Sequence, residues 1–103
     1  MKNKYKVIHL QLFYEDLRQI TNYIKYQLNN PSSAKKLLNE IEKNIEERSY
    51  NPTSYKEYKT NRKRKNPYYK INVKNYIIFY TVTNDVMEIR RILYARRNLE
   101  ELI

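Results

Sequence analysis

Apolar residues change their spacing several times along this chain, and each change predicts a different element. Lys4-Tyr5-Lys6-Val7-Ile8-His9-Leu10 is short, rich in β-formers and roughly alternating, which reads as a strand. From Phe13 the period becomes helical: Phe13, Leu17, Ile20, Ile24 and Leu28 form one stripe, with Asp16, Arg18, Asn22 and Lys25 off it. Asn29-Asn30-Pro31-Ser32-Ser33 breaks that helix. Asn30 can cap a second helix whose first position tolerates Pro31, because that amide would be unpaired anyway. The second helix gathers Ala34, Leu37, Leu38, Ile41 and Ile45 on one face and ends before Asn51-Pro52. So short a break makes the two helices antiparallel neighbours.

Residues 53–67 lose the apolar period and carry a charge run, Arg62-Lys63-Arg64-Lys65, closed by Asn66-Pro67, the pattern of a loop. Three strand-like runs follow at 68–73, 76–82 and 86–93, separated by Lys74-Asn75 and Thr83-Asn84-Asp85. The chain has no glycine, so asparagine must supply the positive φ that tight turns need. Strict alternation fails near Arg90-Arg91, which predicts a bulge or a strand end. Adjacent strand residues point to opposite faces, so Arg90 and Arg91 are expected to part company. The order β-α-α-β-β-β gives an α+β fold in a single domain over 1–103, an antiparallel sheet with an N-terminal helical hairpin packed on one face.

Charge changes the picture. The formal net charge is +10, and it is unevenly placed: residues 1–52 hold 9 Lys/Arg against 6 Asp/Glu, residues 53–103 hold 12 against 5. Such a field favours encounter with phosphate backbones or an acidic protein. A genome biased toward AT would explain the abundance of Lys, Asn, Tyr and Ile, but not the clustering of charge. No cysteine is present and no apolar run is long enough for a signal peptide or a membrane span, so cytoplasmic residence without membrane association is expected.

Several chemistries are excluded. With one histidine, His9, no cysteine and no glycine, the chain offers no metal site, no nucleophilic triad and no phosphate-cradling glycine loop, and no cofactor is implied. Function must rest on Lys, Arg, Tyr and shape. Tyr55, Tyr58, Tyr68 and Tyr94 stand beside basic residues where they could stack on bases, although most of the twelve tyrosines are expected to pack the sheet and helix faces.

Three segments in order, Tyr69-Lys70-Ile71, Tyr76-Ile77-Ile78-Phe79-Tyr80 and the run from Glu88 through Arg90-Arg91 and Tyr94 to Arg96-Arg97-Asn98, resemble the C-terminal signature of the RelE/ParE toxin superfamily. That signature is a Tyr-Lys or Tyr-Arg strand, a strand ending in an aromatic pair, and a last strand running into His-x-Arg-Arg or a variant. Asp16-Leu17, Ile20, Tyr23-Ile24, Ala34 and Asn51-Pro52 sit where the ParE-like branch carries its hairpin and closing proline. The resemblance covers nearly the whole chain. It implies the toxin of a type II toxin-antitoxin module, a growth-arresting protein silenced by an acidic antitoxin.

The two branches imply different targets. The RelE-like branch cleaves mRNA on the ribosome with Lys, Arg and Tyr side chains, which can stabilise charge on a phosphorane-like transition state. Lys70 and Arg96 carry over as its catalytic residues, but Asn72 replaces a second Lys, Ile77 replaces an Arg after Tyr76, and Leu102 stands near where a late Tyr is expected. The ParE-like branch poisons DNA gyrase without a catalytic set, and it suits the long hairpin and Ile77, so it is slightly favoured. A nontoxic basic RNA-binding module is the plainest alternative. Target contact is expected from Arg62, Lys63, Arg64, Lys65, Arg91, Tyr94, Arg96 and Arg97. Each has an ordinary reading too: the loop run as a solvated charge cluster, the late arginines as surface residues, Lys70 as the polar side of a strand. Tyr94 stands where many relatives have His, and a phenol with a pKa near ~10 is poorly suited to proton transfer at neutral pH.

Overall fold

The structure, a computed structural model, describes residues 4–59, 66–97 and 99–103. Strand β1 (Lys6–His9) leads into helix α1 (Gln11–Asn22), which continues as a π-helical turn over Tyr23–Gln27. Helix α2 (Pro31–Arg48) then returns, and strands β2 (Tyr69–Val73), β3 (Tyr76–Thr83) and β4 (Val86–Tyr94) follow, with a short helix α3 at Leu99–Leu102. Asn30 caps α2 as its sequence predicts: its side chain accepts from the Ser33 amide at 3.2 Å, with Pro31 at the first helical position. The fold is α+β. No described helix is long and apolar enough to cross a membrane.

Strands β2, β3 and β4 form the expected antiparallel meander, but the sheet as a whole is mixed. Its order is β1-β4-β3-β2, and β1 lies parallel to β4, with Lys6 opposite Val86 and His9 opposite Ile89. The direction follows from what comes next. β1 hands the chain to α1, which carries on beside β4 in the same sense until Asp16 reaches Arg91 and Ile92. A strand of opposite sense would deliver α1 to the wrong end of the sheet. Alternation in the sequence marks β1 as a strand without naming its partner.

The helices bury Phe13, Ala34, Leu37, Ile41 and Ile45 against one face of the sheet, where Ile78, Tyr80, Met87, Ile89 and Ile92 are wholly enclosed. The other face is apolar as well. Tyr68, Ile77, Phe79 and Leu93 lie there beneath Ile103, flanked by Leu99 and Leu102. Buried on both faces, β3 is hidden continuously from Ile77 to Thr81, as a central strand between two layers must be. The sequence reading supplied only one covered face.

Two details depart from the predicted turns and stripe. At the β2–β3 turn Lys74, not Asn75, takes the positive φ of 53°, while Asn84 does so between β3 and β4 as expected. Leu28 ends exposed rather than in the core. Its amide bonds five residues back, to the Tyr23 carbonyl at 3.1 Å. The extra residue in that turn retards the helical rotation, so Leu28 comes round on the flank of Ile20 and Tyr23.

Candidate target-binding surface

The end of the sheet where β4 finishes is built from three elements. Ala95 donates its amide to the Asn75 carbonyl at 2.9 Å, tying the end of β4 to the β2–β3 turn, and Arg97 donates to the Tyr94 carbonyl at 3.1 Å, turning the chain over the sheet. Tyr76 and Tyr94 are cross-strand partners whose rings meet edge to face, 5.9 Å apart. Burial raises the Tyr76 phenol above its ordinary pKa. On the third side stand Gln19, Ile20 and Tyr23 of the first helix, with Leu28 beyond them. Together with Asn75, Tyr76, Tyr94 and Arg97 they line a cleft of ≈580 Å³. Tyr23 is 54% exposed, Leu28 56% and Tyr94 37%, so the apolar walls open to solvent. Arg96 and Arg97 are exposed beside it.

The structure thus joins Tyr94 and Arg97 of the expected site to Tyr23, Leu28 and Tyr76, which the sequence reading did not include. Leu28 carried a signal, since it lay on the predicted stripe, but only the π-helical turn shows which way it faces.

Lys70 lies elsewhere. It is exposed on β2, opposite Phe79, which in turn stands opposite Arg91. The register puts this row two strands across and three residues down from Tyr94, roughly 14 Å away in backbone position. The Lys70 ammonium sits 5.7 Å from the Tyr58 ring centroid, and Tyr58 packs edge to face on Phe79. Asn72 is exposed and Ile77 buried, so neither adds a charge to the Lys70 row. Among the described residues no cluster of His, Cys, Asp or Glu could hold a metal ion.

Arg90 and Arg91 do not part company. The β3–β4 register shifts between Phe79 and Tyr80, whose partners are Arg91 and Ile89, so Arg90 is the extra residue of a bulge near the position predicted for one. The bulge turns both arginines toward the second face, where both line a cleft with Tyr68 and Ile103. Arg90 pairs with Glu88 and lies 5.8 Å from the Tyr68 ring centroid. Arg91 makes a two-pronged pair with Asp16, at 2.7 and 2.9 Å, and donates to the Leu102 carbonyl at 2.7 Å. The Asp16 hydrogen bonds hold Arg91 above the ordinary arginine range. Asp16 also accepts from the Ile92 amide at 3.2 Å, serving the edge of β4 where β1 has already ended. With its guanidinium engaged inside the chain, Arg91 fixes the end of β4. Arg62, Lys63, Arg64 and Lys65 lie outside the described residues.

A second apolar cleft, ≈370 Å³, runs between β1 and the hairpin, past Val7, His9, Leu17 and Leu38, with Glu42 and Glu46 on its rim. His9 lies here against the Phe13 and Tyr14 rings, at 5.5 and 5.4 Å, and burial lowers its pKa.

A helical hairpin thus lies on a small mixed sheet, with an open aromatic cleft and exposed arginines at one end. The sequence model described as "ParE toxin of type II toxin-antitoxin system, parDE" matches residues 7–99. The chain belongs to the ParE toxin family of type II toxin-antitoxin systems. No curated protein matches it directly in sequence. Among solved structures it is similar to the chromosomal ParDE system of P. aeruginosa, with a TM-score of 0.72 at 13% identity over 90% of this chain and 98% of that one. It is also similar to the RelB-RelE antitoxin-toxin complex of Methanococcus jannaschii, with a TM-score of 0.52 at 24% identity over 93% and 98%. At such identities these neighbours speak for the fold.

Proposed function

We propose that the chain is a single cytoplasmic toxin domain that arrests growth by poisoning DNA gyrase and is silenced by an acidic antitoxin. The observation that carries this reading is the separation of Lys70 from the arginine-rich end of the sheet. An RNA-cleaving site needs several charges converging on one phosphate. Here Lys70 has Tyr58 beside it, Asn72 and Ile77 bring no charge, and Arg91 is held by Asp16. Arg48, which reaches the Lys70 carbonyl at 3.0 Å, is engaged with the Tyr80 hydroxyl and the Tyr55 ring. What lies open instead is a cleft suited to contact, with Tyr94 and Arg97 on it and Arg96 adjoining. Arg62 to Lys65 add to the net positive charge of the chain. An antitoxin partner is supported by the two structural relatives, both from toxin-antitoxin systems, and by the net charge of +10, which steers encounter with an acidic protein.

The test is induction of the chain without any partner while the DNA-damage response and translation are followed in parallel. Gyrase poisoning raises the damage response before translation falls. Early loss of translation with cleaved mRNA, abolished by Lys70→Ala, would establish the endonuclease instead. Strong soluble expression with unaffected growth would leave the RNA-binding module.

A further inference from the structure

We infer that the cleft at the end of the sheet receives a segment of the target protein that carries an apolar or aromatic anchor flanked by carboxylates. This rests on the toxin reading and names the chemistry of the contact. Two apolar clefts among the described residues differ in their rims. The one between β1 and the hairpin has Glu42 and Glu46 at its edge, with Lys4 paired to Glu46 at 2.6 Å. Among the described residues no carboxylate lines the one between Tyr23, Leu28, Tyr76 and Tyr94, which carries Arg97. The first keeps one carboxylate in excess once Lys4 has neutralised Glu46, while the second presents a guanidinium, so an acidic segment is favoured at the second. Lys74 adjoins Asn75 in the turn and Arg96 adjoins Arg97, both exposed, so the surrounding charge has the same sign.

The walls favour a side chain from another protein. Tyr23, Leu28 and Tyr94 remain substantially exposed around an indentation whose floor includes the half-buried Ile20 and Tyr76. Aromatic walls with an arginine at the margin are the composition of interface centres. Tyr76 and Tyr94 meet edge to face, leaving no flat pair of parallel rings on which successive bases could stack. Leu28, with no ring to offer a base, is placed on this cleft by the π-helical turn, a feature frequent at functional sites.

The test uses the full chain and three probes: a short peptide with a central Leu-Phe pair between aspartates, the same peptide with asparagines, and oligothymidylate. The acidic peptide should shift the NMR signals of Tyr23, Leu28 and Tyr94, and Arg97→Glu should weaken it by roughly tenfold or more, as loss of a charge-assisted hydrogen bond does. The asparagine peptide should bind correspondingly worse. In cells, Tyr23→Ser/Leu28→Asn should abolish growth arrest while the purified variant keeps the parent melting temperature. Shifts confined to the Val7–Leu38 cleft, no binding of the acidic peptide, or tighter binding of oligothymidylate at the same residues would each overturn the inference. A double variant that is folded and fully toxic would do so too. If the parent chain itself fails to arrest growth, the toxin reading falls, and the peptide titration still judges the surface by itself.

Discussion

Asp16 joins three parts of the molecule through one carboxylate: the first helix, the Arg91 guanidinium and the Ile92 amide. Both side chains are largely hidden, at 10% and 15% exposure, so each depends on the other for neutralisation. Asp16→Ala should therefore destabilise the protein by about 3–5 kcal/mol, read from urea denaturation, because it strands a cation away from water. Replacing both partners by apolar residues should recover much of that loss; a single variant as stable as the parent would show the pair to be incidental. His9 gives the fold a pH dependence of known sign. Burial holds its pKa below the ordinary 6.5, so the unfolded chain binds the proton more readily. The contribution is complete above pH 6.5 and is lost as pH falls through the lowered value. His9→Gln should flatten the curve of melting temperature against pH in that acidic window; an unchanged slope would place its origin in other groups.

At the scale of elements, the apolar period gave the hairpin and its cap, and the turn residues gave the meander. Phase was legible to within a flank. Ile41 is 2% exposed, whereas Leu38, on the same predicted stripe, is half-buried beside an open cleft. Ile41→Ala should cost about 2–5 kcal/mol through cavity formation, and Leu38→Ala nearer the roughly 1 kcal/mol of an average substitution. Equal losses in chemical denaturation would mean that the cleft is closed in solution. What the sequence left out has physical reasons. A strand's alternation is silent about parallel or antiparallel pairing, so the place of β1 beside β4 had to be seen. The bulge was legible as broken alternation, but its effect on side-chain direction was not, and Arg90 and Arg91 were wrongly parted. Lys74 at positive φ has no signature, because any lysine can be forced there by the strands on either side.

For the whole molecule, charge and shape lead to one surface. Arg96 and Arg97 are exposed beyond β4, so Arg96→Ala/Arg97→Ala should leave stability within ~0.5 kcal/mol of the parent. Growth arrest on induction should nevertheless weaken; a double variant as toxic as the parent would remove these arginines from the site. The late arginines and Tyr94 were visible in the sequence, while the aromatic wall that joins them was not, since Tyr23 and Leu28 are far from them along the chain. The pairing of β1 with β4 also sets when the fold can close during synthesis. Lys6 is made early, yet its neighbour Val86 belongs to the last strand, and so does Arg91, which Asp16 requires. While the chain is being synthesised, the first strand has an unfilled edge and the first helix an unneutralised carboxylate. Contacts so distant in sequence are slow to close. A growing chain therefore cannot assemble the cleft before β4 exists, so the surface that holds Tyr94 and Arg97 is among the last parts of the molecule to form.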